Sequence, residues 1–401
     1  MIKKTAFLVF SLYLTLYVGG QSSYDAILKS RALTSAGEEI KAIGMLTAAI
    51  SEKEDGLLYA ERADACLLAG DYSGAINDFN KANTLITGAG EYGLARIYAL
   101  KGEAASSLLH LERNLLSGFR RSGKEVLLDP AFAGIENTPE WRQFWKRDWY
   151  TELETGVSEI EYYVSSGKKP EAAEKLRELQ AIYKGKDEVE YASALVSLST
   201  GKPGEAVTIL SAITNGSAGN EKHLRLLAKA QTDASNPAGA SATYTRLLNQ
   251  EVPDAELFLL RAECYRKTGE TGRAMADIEK YLSLYPLHKT ALRLAGQVSS
   301  AAGNNIKALS YFSKNIGNNP GDPDCFIDRA NSYMALKSWE PAINDYSMSL
   351  DLNPSNPEAW LSKGIALIHS GKTEDACHDF RFALNYGSRR ATDYISRYCI
   401  K

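Results

Sequence analysis

The chain has 401 residues, 44% of them hydrophobic and 24% charged, with 46 basic against 49 acidic side chains and a formal charge of −3. That balance gives no reason to expect nucleic acid, which is held by a basic face that releases counterions. Five cysteines, Cys66, Cys264, Cys325, Cys377 and Cys399, show no CxxC or other metal-ligand spacing, which argues against a zinc site or a disulfide framework and for small buried residues.

The first twenty residues differ in kind from the rest. Lys3 and Lys4 precede an apolar run from Ala6 to Val18, and Gly19-Gly20 follow. This is the pattern of a secretory signal peptide over residues 1–20, with a retained anchor as the alternative. The run is shorter than the ~20 residues of a membrane helix, and no second candidate follows, so no transmembrane segment is expected in the mature chain. Removal of the leader takes away two lysines and leaves 44 basic against 49 acidic residues.

Residues 21–118 carry a loose helical repeat. Ala63, Gly70, Asp71, Tyr72, Ala75, Phe79 and Ala82 form its clearest unit, Ala42, Leu46 and Ala49 suggest a helix before it, and Ala95, Tyr98 and Gly102 open a third. Residues 119–152 fit no unit. There Trp141, Trp145 and Trp149, with Phe144 and Tyr150 among them, fall at i, i+4 and i+8 of one predicted helix. Such a stripe would pack in a seam between two arrays, or face a partner or stack on sugars.

From residue 153 to 387 the beat becomes strict. Ala172, Ala206, Ala240, Ala274, Ala308, Ala342 and Ala376 stand 34 residues apart. Twelve residues before them lie Ile160, Ala194, Ala228, Ala262, Gly296, Ala330 and Gly364, and four after them Leu176, Leu210, Tyr244, Ile278, Phe312, Tyr346 and Phe380. Small and large residues one turn apart share a helical face, where the small one admits a neighbouring helix and the large one fills the remaining space. Five before each alanine a glycine ends the first helix, except at Ser235 and Lys337. Pro286, Pro320 and Pro354 stop second helices.

In these residues the chain resembles tetratricopeptide repeat (TPR) proteins, whose 34-residue unit is a helix, a turn and an antiparallel helix. The fullest matches are Trp360, Gly364, Gly371, Ala376, Phe380 and Ala383, then Phe326, Ala330, Tyr333, Ala342, Tyr346 and Pro354; Gly156 and Glu190 stand where an aromatic is usual. The resemblance implies an all-α superhelical solenoid of antiparallel helix pairs, in two arrays (21–118 and 153–387) joined by the irregular aromatic-rich segment 119–152. Residues 388–401 would form a cap, with Ala391, Tyr394, Ile395 and Tyr398 as its apolar stripe and, if that helix folds back, a Cys377–Cys399 pair. The stretch from Leu128-Asp-Pro to Thr138-Pro-Glu resembles the segment that closes TPR arrays in some bacterial proteins.

In this family the first helices line the concave face. The positions that would read a partner are then Lys222, Arg225, Lys229, Arg266, Lys267 and Arg293, with Gln297 and Asn331. A basic, amide-lined groove suits a peptide C-terminus or an acidic segment, although Glu256 and Glu263 would partly neutralise it. Its lysines and asparagines do not reproduce the two-carboxylate clamp of chaperone-binding TPR domains.

No catalytic constellation stands out. His110, His223, His288, His369 and His378 are scattered, no HExxH, GxSxG or phosphate-cradling glycine loop occurs, and His378 beside Asp375 and Asp379 reads as a wet polar face. The expectation is a non-enzymatic scaffold or adaptor with no cofactor and no metal. It would bind a protein or peptide in an envelope or secretion complex, exported to the periplasm or cell surface of a Gram-negative bacterium. A holdase-like cochaperone of a secretory compartment and a glycan-binding envelope module are the alternatives. The sequon Asn215-Gly-Ser217 would matter only in a eukaryote.

Overall fold

A computed structural model describes residues 22–215 and 219–400; the expected signal peptide and most of the sequon lie outside them. The described residues form two compact units, one running through Gly219 and including Glu251–Asp254, the other Asn220–Gln250 and Ala255 onward. All regular structure among them is helical.

The first unit pairs α1 (Ser23–Ser35) with α2 (Glu39–Glu52), α3 (Gly56–Leu68) with α4 (Tyr72–Leu85), and α5 (Glu91–Leu100) with α6 (Ala104–Leu115). The short α7 (Gly123–Leu128), a 3-10 turn (Pro130–Phe132) and α8 (Pro139–Phe144) follow, then α9 (Glu152–Ser165) with α10 (Lys169–Ile182) and α11 (Asp187–Ser199) with α12 (Pro203–Thr214). The second unit continues with α13 (Glu221–Asp233) and α14 (Pro237–Asn249), α15 (Glu256–Lys267) and α16 (Thr271–Leu284), and α17 (Lys289–Ala301) and α18 (Asn305–Asn318). It closes with α19 (Pro323–Ala335) and α20 (Trp339–Leu352), α21 (Pro357–His369) and α22 (Thr373–Asn385), and the single α23 (Ala391–Tyr398).

Local chemistry sets the ends of these helices. Asn236, Asn304 and Asn356 cap α14, α18 and α21 by accepting amide hydrogen bonds, and Thr151 with Glu154 forms a reciprocal capping box that starts α9. The five repeat glycines all turn with positive φ, between 72° at Gly167 and 82° at Gly371. Ser235 and Lys337 adopt the same left-handed conformation, at 56° and 58°, so the turn is kept where the glycine is not.

Packing follows the 34-residue frame. All seven alanines have no exposed surface, and Ile278, Phe312, Tyr346 and Phe380 are at most 1% exposed. At Gly296 a methyl group would sit 2.3 Å from the Phe312 ring, and at Gly364 2.5 Å from that of Phe380. An aromatic on the second helix thus lies directly on the backbone of the first, the close approach that only glycine permits.

A recurrent ion pair ties the two helices of a unit together. Arg62 donates two 2.7 Å bonds to Asp78, Arg261 two to Asp277, and Arg329 two to Asp345. In each case the same guanidinium also reaches a hydroxyl on the preceding second helix, Thr47, Thr245 or Ser313, at 3.0–3.1 Å. Lys363 and Asp379 occupy the equivalent positions at 3.3 Å.

The tryptophan stripe is not formed. Helix α8 ends at Phe144, so Trp141, Trp145 and Trp149 do not share a helix. Trp149 folds back, stacking on Phe144 at 4.5 Å and donating from Nε1 to the Phe144 carbonyl at 2.8 Å, while Arg120 holds the Trp149 carbonyl. The helix cannot continue because the Thr151–Glu154 capping box begins the next one. Trp141 is buried against Leu108, Leu111, Leu115 and Phe132 of the first unit, with Trp145 and Trp149 partly covered around it. As the Thr138-Pro-Glu motif suggested, α8 opens with Thr138 accepting from the Trp141 amide.

Cys377 and Cys399 are joined by a disulfide, against the reading of five buried thiols. It ties α23 to α22, where Tyr394 and Ile395 pack on the final core and Tyr394 lies 5.1 Å from Phe380. Cys66, Cys264 and Cys325 remain buried thiols. Burial pushes the Cys325 thiol up to about 12, so it is no nucleophile at neutral pH.

Candidate partner-binding face

In the second unit α17 touches both α15 and α19, so first helices of successive repeats share one face. The sequence-derived candidates lie on these helices and on α13, and their surroundings differ. On α13, Lys222, Arg225 and Lys229 stand about one turn apart, with Arg225 2.8 Å from Glu221 and Lys229 2.9 Å from Asp233. Both contacts lie within the same helix and are exposed, so they restrain these cations only weakly. On α15, Arg266 makes two bonds to Glu263, at 2.7 and 2.8 Å, and Lys267 approaches the same carboxylate at 3.8 Å.

Arg293 is engaged differently. Its Nε donates to Asp328 at 2.6 Å and its Nη1 to Asp324 at 3.0 Å, both on α19, and Gln297 donates to Asp328 at 3.3 Å. Burial works against the Arg293 charge, but the two carboxylates outweigh it and raise its pKa. Burial also raises Asp328, with Arg293 pulling the other way. Arg293, Gln297 and Asp328 are therefore a tie between neighbouring first helices. Asn331 is occupied as well, its Oδ1 accepting from the Tyr346 hydroxyl at 2.6 Å. Toward the C-terminal end the face turns apolar, where Ile327, Met334, Ile365 and Ile368 are partly buried.

The acidic partners Asp324 and Asp328 escaped the sequence reading, which named only Glu256 and Glu263 as neutralising groups. Their signal was present: they follow Arg293 by 31 and 35 residues, one repeat away. The first unit has a similar lattice. Arg31 faces Glu61 at 3.1 Å, and Arg96 lies 3.1 Å from Asp129 and 3.5 Å from Asp64. No cluster of three or more His, Cys, Asp or Glu able to hold a metal ion occurs among the described residues, and no helix there is long and apolar enough to cross a membrane.

The sequence profile of the tetratricopeptide repeat family matches residues 225–287 and 327–380, which take in α15 and α21 and most of α13 and α19. The chain is a tetratricopeptide repeat protein. Its repeats form an all-helical TPR superhelix, and repeats of this family generally mediate protein–protein interaction.

Human tetratricopeptide repeat protein 16 is 26% identical to this TPR protein over 115 residues, which cover 25% of the chain and 13% of the human protein. Among solved structures, a TPR protein from Parabacteroides merdae is 18% identical, covering 61% of this chain and 96% of that one with a TM-score of 0.46. The Cut9–Hcn1 assembly of APC/C is 12% identical, covering 96% and 98% with a TM-score of 0.42. YrrB, described as a TPR protein with an unusual peptide-binding site, is 15% identical, covering 48% and 98% with a TM-score of 0.39.

Proposed function

We propose that this TPR protein is a non-enzymatic adaptor, exported from the cytoplasm, that binds an extended segment of a partner protein along the first helices of its second unit. The observation that carries this reading is the shared first-helix face itself. It presents Lys222, Arg225 and Lys229 at one end and Ile327, Met334, Ile365 and Ile368 at the other, on rigid helix pairs. Such a surface recognises a ligand through many modest contacts, with charge at one end and apolar anchors at the other.

The cations of α13 favour an acidic stretch or a C-terminal carboxylate by charge, and the exposed intrahelical contact of Lys229 with Asp233 is one that a partner carboxylate can displace. Arg293 contributes less, since moving it toward a ligand would strand Asp328. Export is supported by the leader-like residues 1–20 and by the Cys377–Cys399 disulfide, a bond that persists in oxidising compartments. The periplasm or cell surface of a Gram-negative bacterium is the compartment proposed, with an envelope or secretion complex as the client. Packing of the tryptophans into the first unit gives a glycan-stacking role less support.

The test is crosslinking of the mature protein in its native envelope, compared with a Lys222→Glu, Lys229→Glu variant. A discrete partner should be captured by the wild type and weakened at least about tenfold in the variant, a loss of ~1.4 kcal/mol. Equal capture by both would refute the face, and capture of many unrelated unfolded chains would point to a holdase.

A further inference from the structure

The first two of the seven regular repeats depart from the others at one packing position, and the first has no side chain there at all. Sixteen residues before the repeat alanine stand Leu224, Phe258, Leu292, Phe326 and Trp360 in the last five units, but Glu190 in the second and Gly156 in the first. Leu179 of α10 leans into the space this leaves: a methyl group on Gly156 would lie 2.7 Å from its Cδ2. The exchange is incomplete. Beside Gly156 an open cleft of about 580 Å³ remains between α9 and α10, with Leu179 on its floor and Ile182 at its mouth. Ile182 is 69% exposed, an unusual position for an isoleucine at the mouth of a cleft.

The rim has one dominant sign. Asp148, Glu152, Glu159 and Glu178 all line the cleft, against a single cation, Lys175. That ammonium is shared between Glu159 at 2.9 Å and Glu178 at 3.4 Å, while Glu152 accepts only a neutral hydroxyl bond, from Tyr183 at 3.1 Å. The negative excess therefore survives the internal pairing. An apolar floor beneath a carboxylate rim is complementary to a side chain with an aliphatic stem and a cationic head. Arginine fits better than lysine, since its fork can meet two carboxylates while its methylenes lie over Leu179 and Ile182.

We propose that the α9–α10 cleft is a second docking site, one that takes an arginine side chain from an extended segment of a partner protein. Its charge preference is opposite to that of the α13 cations, and it stands independently of that face.

The test uses the leaderless full chain and a fluorescein-labelled Gly-Leu-Arg-Leu-Gly peptide, read by fluorescence polarisation. Binding should weaken at least about tenfold when the arginine is replaced by citrulline, which keeps the shape and loses the charge. Glu152→Gln with Glu178→Gln should weaken it to a similar degree. Gly156→Phe with Leu179→Ala, which restores the usual packing and fills the cleft, should abolish binding with no loss of helicity. If that variant fails to fold, the citrulline peptide and the Gln pair decide. No binding by the wild type, equal affinity for the citrulline peptide, or binding that survives the Gln pair overturns the proposal. Lys222→Glu should leave this binding unchanged, which separates its failure from that of the first-helix face.

Discussion

Lys337 turns between α19 and α20 with a φ of 58°, where five of the seven repeats use glycine. Its amide donates to the Met334 carbonyl at 3.0 Å and that of Ser338 to Tyr333 at 2.9 Å, the same pair of bonds made at Gly371 and Lys372. The left-handed conformation costs a β-carbon-bearing residue about 1–2 kcal/mol. Lys337 is exposed and has no packing to lose. Lys337→Gly should therefore stabilise the chain by about 0.5–1 kcal/mol after the extra freedom of glycine in the unfolded state is subtracted. A urea midpoint equal to or below wild type would show that the turn is not strained.

Asp64 supplies a second residue-scale prediction. Its side chain is half exposed, yet it lies within reach of Arg96 on the next first helix. Desolvation by α1 and α5, which pack on either side of its helix, pushes its pKa from 3.8 up to about 6, with Glu61 adding to the rise and Arg96 pulling against it. A raised carboxyl means that the folded chain holds the proton more tightly than the unfolded one. The stabilisation is thus complete below about pH 3.8 and is lost as pH rises through about 6. Asp64→Asn should flatten the fall in melting temperature across that window. An unchanged slope would assign the pH dependence to other groups.

At the scale of the helix pair, the repeated Arg–Asp tie matters most. The Asp345 carboxylate is 7% exposed and the Arg329 side chain 21%. Removing the arginine leaves a nearly buried charge without its cation, whereas replacing both partners by apolar groups removes the need for pairing. Arg329→Ala should cost about 2–3 kcal/mol in urea unfolding, and Arg329→Met with Asp345→Leu distinctly less. If the double variant is as unstable as the single, the hydroxyl contact to Ser313 and the packing of the arginine stem carry the effect instead. This tie was legible in hindsight: Arg62-Ala, Arg261-Ala and Arg329-Ala each precede, sixteen residues on, an Asp followed by a large residue. It was overlooked because charges beside a packing position read as solvated until the partner helix is in place.

For the molecule as a whole, the C-terminal cap is where a covalent bond replaces repeat packing. The Cys377–Cys399 disulfide closes 22 residues of chain, a restraint worth about 3 kcal/mol by loop entropy. Cys399→Ser should loosen α23 while leaving the repeats folded. Limited trypsin digestion should then cut at Arg389, Arg390 or Arg397 at least about tenfold faster than in the oxidised wild type. Equal rates would mean that Tyr394 and Ile395 hold the helix without the bond.

The repeat frame was readable because it is a matter of periodicity: Ala342 or Phe380 can be placed by counting, since each unit buries the same positions against the same neighbours. The break at Trp145 was readable in principle from the Thr151–Glu154 capping box, which starts a helix where the tryptophan spacing would have continued one. The state of Arg293, the fold-back of Trp149 and the cleft beside Gly156 were not readable. Each depends on what a neighbouring helix brings to within a few ångströms: two carboxylates one repeat away, a carbonyl at a helix end, a leucine that only partly fills a missing side chain. One-dimensional order carries the packing code of a stacked fold, because stacking repeats it. Which charges remain open to a partner is decided only when the stack forms, because that depends on pairing between units.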